Sequence, residues 1–153
     1  MRTVYTGLYY KDYRECKKHT ENIAQMTHYD ALSTEICVLY AELIRLLVTG
    51  EKDVPYYLMD KWLKDNPMVE MPAGWIKDSF NCALHSFLET YTIEEAFIRA
   101  VNLGDDADTI GAITGGLVGA WYGFDQLPRR WVNCLSGDVT NQLDYLADKA
   151  FGV

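Results

Sequence analysis

The strongest constraint in the sequence is a run of small residues, "IGAITGGLVGAWYG", beginning at Ile110. It contains two rows at four-residue spacing: Gly111, Gly115 and Gly119, and beside them Ala112, Gly116 and Ala120. Glycine in a helix interior costs about 1 kcal/mol relative to alanine. A helix of this composition is therefore expected only where other helices, or a ligand, approach its backbone closely. We favour close packing between helices, with the helix ending near Gly123.

Helical periodicity extends along most of the chain. Apolar residues recur every three or four positions between Thr34 and Val48 and between Ile76 and Glu89. Further helices are predicted over 13–26, 54–64, 92–103 and 138–151, with a short one starting at Pro128. Signals for helix ends are Asp30 or Ser33 and Gly50 around the longest helix, and the capping box of Thr92 and Glu95 followed by Gly104.

Only "TVYTGLYY", near the start of the sequence, is typical of a strand, and a single strand has no sheet to join. A loop is predicted at "DNPMVEMPAG", residues 65–74, which contains Pro67, Pro72 and Gly74. The predicted fold class is all-α, a helical bundle, with residues 1–153 forming a single domain.

Composition excludes several classes of protein. Hydrophobic residues make up 49% of the 153 and charged residues 24%, as in ordinary globular domains. The formal net charge of −8 argues against general nucleic-acid binding and against anionic membranes, and suits a cation site or a basic partner. No stretch approaches the roughly 20 apolar residues of a membrane span. Four widely spaced cysteines without a CxxC pair favour reduced thiols and a cytoplasmic location.

The segment "GDDADTIG", residues 104–111, gathers like charges where the glycine-rich helix is expected to begin. If the helix starts at Asp106, then Thr109 lies one turn further on, and Asp108 lies within the first turn. Carboxylate and hydroxyl oxygens are ligands for Mg²⁺ or Mn²⁺, and a dication offsets the repulsion between aspartates. Aspartates also cap helices by accepting hydrogen bonds from free N–H groups. Spacing alone leaves both interpretations open.

The sequence resembles the ADP-ribosylglycohydrolase family in three segments. "AVNLGDDADTIGAITGGLVGAWYGFDQLPRRW" is similar to the family's C-terminal signature: a Gly-Asp-x-Asp-Thr metal motif, a small-residue helix ending in Tyr-Gly, then a proline and a tryptophan. "GWIKDS" resembles a segment of the type Gly-Tyr-Val-x-Asp-Thr. "MTHYDALS" resembles a Thr-His motif that opens a long helix.

The resemblance implies a metal site. Asp106, Asp108 and Thr109 match one of two ligand sets that hold a pair of Mg²⁺ or Mn²⁺ ions. Asp105 stands where many family members have glycine or asparagine, so it is not counted as a ligand.

The resemblance also implies substrate contacts. His28 matches a histidine near bound ADP-ribose, and Gly74 and Trp75 match a Gly-Tyr pair that contacts the substrate. Tryptophan keeps the aromatic face of the tyrosine but lacks its hydroxyl. Arg129 and Arg130 are candidates to meet a diphosphate, although an exposed pair after a proline is usually solvated.

The function implied is the removal of ADP-ribose from a modified target by metal-dependent hydrolysis of a glycosidic linkage. In the family, the ions hold the ribose hydroxyls and orient a water that attacks C1″. The family's Gly-Asp-x-x-Gly opening, its Thr-Asp-Asp-Thr motif and its assisting acidic residue have no match in this sequence. We therefore expect the chain to correspond to the C-terminal part of the family domain, with no catalytic residue of its own. Activity is expected to be weak or absent without a complementary N-terminal polypeptide.

A second interpretation belongs to a different class. A chain that keeps the helical core but lacks half of the ligands would serve as a non-catalytic acidic interaction module. Apolar surface left by missing helices would also favour homo-oligomers.

Overall fold

The computed structural model describes residues 1–67 and 74–151, and these residues form nine α-helices and one 3-10 helix. The α-helices are α1 (Val4–Tyr9), α2 (Tyr13–Gln25), α3 (Ala31–Val48), α4 (Asp53–Asp65), α5 (Ile76–Leu88), α6 (Ile93–Val101), α7 (Ala107–Tyr122), α8 (Arg129–Val132) and α9 (Gly137–Phe151), and the 3-10 helix is Phe124–Gln126. The all-α prediction is confirmed. Part of the predicted loop, including Pro72, lies outside the described residues.

Helix α7 lies at the centre of the packing. It contacts α1, α3, α5 and α6, and its side chains Ile110, Ile113, Leu117 and Val118 are buried in the core. The glycine-rich run therefore forms the helix predicted for it, and Gly123, with a φ of 81°, follows its last residue.

The small residues of α7 let neighbouring helices approach closely. A Cβ atom built on Gly115 would lie 3.1 Å from Phe97 Cζ of α6, and one on Gly111 would lie 3.3 Å from Val101 Cγ1. A Cβ on Gly116 would overlap the hydroxyl of Tyr40 on α3. Gly119 is different, because apart from its own stretch of helix no heavy atom of the described residues lies within 4 Å of its Cβ position. Close helix packing thus accounts for three of these four glycines.

Tyr40 joins the two longest core helices. Its side chain is buried on α3, and its hydroxyl donates a hydrogen bond to the backbone carbonyl of Ile113 on α7, at 3.1 Å. Burial raises the pKa of Tyr40 well above the ordinary tyrosine value, because the phenolate would lose its hydration.

The first residues are strand-like in composition, but they form helix α1 at Val4–Tyr9, which the sequence pattern did not predict. Its β-branched and aromatic composition is overridden by packing against α3, where a Cβ on Gly7 would lie 2.8 Å from Ile44 Cβ. The buried Thr6 hydroxyl lies 2.6 Å from the Thr20 hydroxyl of α2. Tertiary contacts therefore decide the conformation of this segment.

Most predicted helix ends are found in the structure. The Asp30 carboxylate accepts a hydrogen bond from Ser33 N at 2.7 Å, and the Thr92 hydroxyl accepts one from Glu95 N at 3.1 Å. The Glu95 carboxylate in turn accepts from Tyr91 N, also at 3.1 Å. Gly50 and Gly104 have φ values of 79° and 77°, as expected of glycines that end helices.

Helix α9 differs from the others because none of its described residues is buried. Three of its large side chains, Leu143, Tyr145 and Leu146, are more than half exposed. All four cysteines are free thiols, with Cys16 and Cys82 buried. Within the described ranges, no helix combines the length and apolar character needed to cross a lipid bilayer.

We expect Gly116→Ala to lower the free energy of unfolding by about 1–3 kcal/mol, the usual cost of overpacking a core. The added methyl group would displace Tyr40 and break its bond to α7. The matched control is Gly119→Ala, which should leave stability unchanged or raise it by up to about 1 kcal/mol. Urea denaturation measures both. Equal effects of the two substitutions would contradict the packing described here.

Alkaline pH should destabilise the protein through Tyr40. The pKa of Tyr40 is raised in the folded state, so its neutral side chain makes its full contribution to the free energy of unfolding below the unfolded pKa of about 10. Above that pH, the contribution is lost at up to about 1.4 kcal/mol per pH unit. The stability of Tyr40→Phe relative to wild type should therefore rise from about pH 9 to about pH 11. If the free energies of unfolding of the two proteins change in parallel with pH, then the Tyr40 phenol ionises as easily in the folded state as in the unfolded state, which would contradict the prediction.

Candidate functional site

The first turns of α5 and α7 are joined by a hydrogen bond between side chains. Ser79 Oγ, on α5, donates to Asp106 Oδ2 at 3.3 Å. Ser79 is almost completely buried, and Asp106 is half-buried at the N-cap position of α7. This pair brings the acidic segment of the sequence against the helix that follows Trp75.

Asp106 does not cap its own helix. Its side chain accepts no hydrogen bond from the free N–H groups of α7, unlike Asp12, Asp30 and Thr92 at the starts of α2, α3 and α6. Capping is the ordinary structural reason for aspartate at this position. Apart from the contact with Ser79, this carboxylate therefore remains available to a ligand.

Asp105 has a backbone role. Its φ is 48°, which makes it the one non-glycine residue with positive φ in the described ranges. Glycine and asparagine adopt this left-handed conformation most readily, and aspartate tolerates it. Asp105 is exposed and carries the turn that leads from α6 into α7.

A cavity of about 460 Å³ lies beside the Ser79–Asp106 pair. Its lining comes from two stretches of the sequence. The later stretch contributes Gly74, Trp75, Ile76, Ser79, Asp106, Thr109 and Ile113, and the earlier one contributes Met1, Arg2, Thr3, Ala24, Thr27, His28, Ser33 and Cys37. Five of the six site residues expected from the sequence, all but Asp108, line it. Asp108 is exposed in the first turn of α7. A larger groove of about 730 Å³ between α3 and α4 contains none of the six.

Trp75 lies at the edge of this cavity as an accessible aromatic surface. It occupies the N-cap position of α5, follows Gly74 with a φ of 67°, and is 49% exposed. The ammonium of Lys77 lies 5.4 Å from the centroid of its ring, a cation–π distance. An exposed indole of this kind provides a face on which a planar base stacks.

His28 lies in the connection between α2 and α3 and belongs to a hydrogen-bonded series of three polar side chains. The guanidinium of Arg2 donates through Nη2 to Thr27 Oγ1 at 3.0 Å. Thr27 Oγ1 lies 2.8 Å from His28 Nδ1. All three residues line the same cavity as Asp106.

Comparison with known proteins gives the family. The model of the ADP-ribosylglycohydrolase family matches residues 1–153. The chain belongs to the ADP-ribosylglycohydrolase family.

Two bacterial relatives illustrate the similarity. The ADP-ribosyl-[dinitrogen reductase] glycohydrolase of Rhodospirillum rubrum is 29% identical over 127 residues, which is 78% of this chain and 43% of that protein. The ADP-ribosylarginine hydrolase Tri1 of Serratia proteamaculans is 34% identical over 80 residues, 49% of this chain and 22% of that protein.

A human relative matches a shorter segment. The ADP-ribosylhydrolase ARH3 of Homo sapiens is 37% identical over 46 residues, 30% of this chain and 13% of that protein. In all three comparisons, the aligned part of the chain spans less than half the length of the relative.

The expectation that the resemblance is confined to the C-terminal part of the family is not borne out, because the family match runs over the whole chain. The expectation arose from the missing N-terminal motifs.

The residues of this glycohydrolase-family chain fit part of a cation site. Asp106 and Thr109 bring a carboxylate and a hydroxyl to the cavity, the oxygen donors that Mg²⁺ and Mn²⁺ prefer. In the described ranges, no group of three or more His, Cys, Asp or Glu side chains is arranged to hold a metal ion. Asp106, Asp108 and Thr109 thus remain predicted ligands of an incomplete set, to which waters or outside donors would have to contribute.

Sequence reasoning missed Ser79, Arg2 and Thr27. Ser79 occupies the threonine position of the Gly-Tyr-Val-x-Asp-Thr pattern, so a signal for it was present in the sequence. No sequence signal marked Arg2, because its hydrogen-bond partner Thr27 is 25 residues away along the chain. The arginine pair after Pro128 is elsewhere, since Arg130 forms an ion pair with Glu94.

We expect removal of the Asp106 carboxylate to cost little stability. In a Ser79→Ala background, where no hydroxyl loses its acceptor, Asp106→Ala should change the free energy of unfolding by less than about 0.5 kcal/mol. Thr92→Ala, which removes a side chain that does cap its helix, should cost about 1 kcal/mol. Urea denaturation measures both variants. If Asp106→Ala costs as much as Thr92→Ala, then Asp106 is a helix cap.

Proposed function

We propose that this chain forms part of an ADP-ribose site and takes part in metal-dependent hydrolysis of ADP-ribose glycosidic linkages. The observation that carries the proposal is the cavity in which Asp106, Thr109, His28, Gly74 and Trp75 come together. These residues come from distant parts of the sequence, and the resemblance to the family implies that they are site residues. Membership of the family supports the proposal, as do the relatives named as hydrolases of ADP-ribosyl groups.

Asp106, Thr109 and Asp108 are the residues that would hold Mg²⁺ or Mn²⁺. The bound ion would supply Lewis-acid polarisation and positioning. Ser79 fixes the Asp106 carboxylate through its hydrogen bond, while the uncapped position of Asp106 leaves its other oxygen available. The left-handed turn at Asp105 places this carboxylate at the start of the helix.

The remaining residues of the cavity would orient the substrate. The Trp75 ring offers a stacking face at the edge and covers substrate from water. His28, which lines the same cavity, would donate or accept a hydrogen bond through its second ring nitrogen, because Nδ1 is already paired with Thr27. A target bearing ADP-ribose is the partner that this arrangement suits.

The chain's own ligands account for one half of a dinuclear site. We therefore propose that metal binding by the chain alone is weak and that hydrolysis by it is slow or absent. A complementary polypeptide carrying further acidic ligands would complete the site.

The alternative function is a non-catalytic interaction module. One observation favours it: the described residues contain no group of three or more acidic, histidine or cysteine side chains arranged for a metal. The exposed apolar residues of α9 would then serve a protein partner or a second copy of the chain.

A double substitution discriminates between the two functions. Asp106→Ala combined with Asp108→Ala should abolish Mn²⁺ binding, measured by electron paramagnetic resonance, and weaken ADP-ribose binding in Mn²⁺ by about 10-fold or more. The physical reason is the loss of both carboxylates from the candidate cation site. Release of ADP-ribose from arginine-linked and serine-linked proteins is measured in parallel.

The matched control is Asp125→Ala combined with Asp138→Ala, which removes the same charge from two exposed positions outside the cavity. It should bind Mn²⁺ and ADP-ribose like wild type. If folded wild-type chain binds neither Mn²⁺ nor ADP-ribose, the hydrolase proposal fails and the interaction module is favoured.

A further inference from the structure

The residues that line the cavity include charges of opposite sign. Asp106, at the start of α7, contributes a carboxylate, and Arg2, which precedes α1, contributes a guanidinium. A ligand that fills such a cavity would place a cation or its hydroxyl groups near Asp106 and an anion near Arg2. ADP-ribose has this character, because its diphosphate carries negative charge at a distance from the terminal ribose.

We propose that Arg2 is the residue that recognises the diphosphate of the substrate, and that Thr27 holds both Arg2 and His28 in position for it. This inference rests on the proposed function, since it names the group that binds one part of the same ligand. Guanidinium groups bind phosphate oxygens through two parallel N–H donors. Arg2 donates to Thr27 from one Nη atom, which leaves its other donors for the ligand.

The hydroxyl of Thr27 couples Arg2 to His28. Because Thr27 Oγ1 accepts the hydrogen bond from Arg2, its own proton is free to be donated to His28 Nδ1, 2.8 Å away. A neutral imidazole that accepts at Nδ1 carries its proton at Nε2. In this arrangement, with Thr27 as the donor to Nδ1, His28 would present Nε2–H as a hydrogen-bond donor, which suits an oxygen of a phosphate or a ribose. Thr27 is a positioning residue in this arrangement.

Thr3 provides an independent observation on the same cavity. The residue is only 2% exposed and lines the cavity, and apart from the Cys37 thiol, a weak hydrogen-bonding group, its hydroxyl has no hydrogen-bond partner within the described ranges. A buried hydroxyl without a partner is costly. A polar group of a ligand would satisfy it, and Thr3 is the neighbour of Arg2 in the chain.

The structure gives the alternative arginines other roles. Arg130 pairs with Glu94, and its guanidinium lies 5.4 Å from the ring of Trp131. Arg129 is exposed and is not among the residues that line the cavity. Among the described residues around the cavity, Arg2 is the arginine available to an anion.

The test compares three ligands on wild type and on Arg2 variants by isothermal titration calorimetry. Arg2→Gln should weaken binding of ADP-ribose in Mn²⁺, and of inorganic pyrophosphate without metal, by about 10-fold or more, because a charge-assisted pair is lost. Adenosine, which has no phosphate, should change by less than about 2-fold. Arg2→Lys should recover only part of the loss, since lysine keeps the charge but not the paired donors. Arg14→Gln, on an exposed part of α2, is the matched control and should bind like wild type.

The role of Thr27 has its own readout. The ¹⁵N chemical shifts of the His28 ring should show the Nε2–H tautomer in wild type and in Thr27→Ser, and a mixture of tautomers in Thr27→Val. The serine variant should also keep ADP-ribose affinity, while the valine variant weakens it. Identical His28 shifts in all three proteins would overturn the coupling.

The outcomes separate this inference from the proposed function. If ADP-ribose binds and Arg2→Gln binds it equally well, then the Arg2 inference is wrong and the hydrolase proposal stands. If ADP-ribose does not bind but pyrophosphate binds in an Arg2-dependent way, the anion site stands and the proposed function fails. If neither ligand binds wild type, both are overturned.

Discussion

The close approach of neighbouring helices to the backbone of α7 is the contact on which the rest of the structure depends. Gly111 and Gly115 admit side chains of α6, and Gly116 admits the phenol of Tyr40 from α3. The Tyr40 hydroxyl then bonds to the backbone of α7. Larger residues at these positions would hold the helices apart. Because these positions are glycines, the helices pack closely, the first turn of α7 lies against α5, and the Ser79–Asp106 hydrogen bond forms.

The start of α7 gives up ordinary stabilising features. Asp106 does not cap the helix, and Asp105 adopts a left-handed backbone that few residues other than glycine and asparagine favour. Asp12, Asp30 and Thr92 cap the starts of α2, α3 and α6 through their side chains, whereas α1, α4 and α5 begin, like α7, without a side-chain cap. A locally unfavourable arrangement that the surrounding structure maintains is typical of a functional site. The left-handed Asp105 beside an aspartate that does not cap its helix is the reason to interpret the acidic segment as a binding feature.

The chain aligns with only part of each of the family members compared with it, and the aligned part spans 43% of the Rhodospirillum rubrum relative. Among the described residues, helix α9 has no buried side chain and exposes the apolar residues Leu143 and Leu146. An exposed apolar surface of this kind is typical of a protein contact site.

Most of the helices, several of their ends and the small-residue packing surface could be predicted from the sequence, because these features depend on residues three or four positions apart. Periodicity, the Thr92–Glu95 pattern and the glycine rows are all local signals of this kind. The same local reasoning does not find the helix at Val4–Tyr9, where β-branched and aromatic residues form a helix because α3 packs against it. The resemblance to the family implied that His28 and Asp106 belong to one site. It gave no indication that Arg2 lines the same cavity, that Asp108 does not, or that Asp106 leaves its helix uncapped. Those facts depend on contacts between residues far apart in the chain, for which local sequence patterns carry no signal.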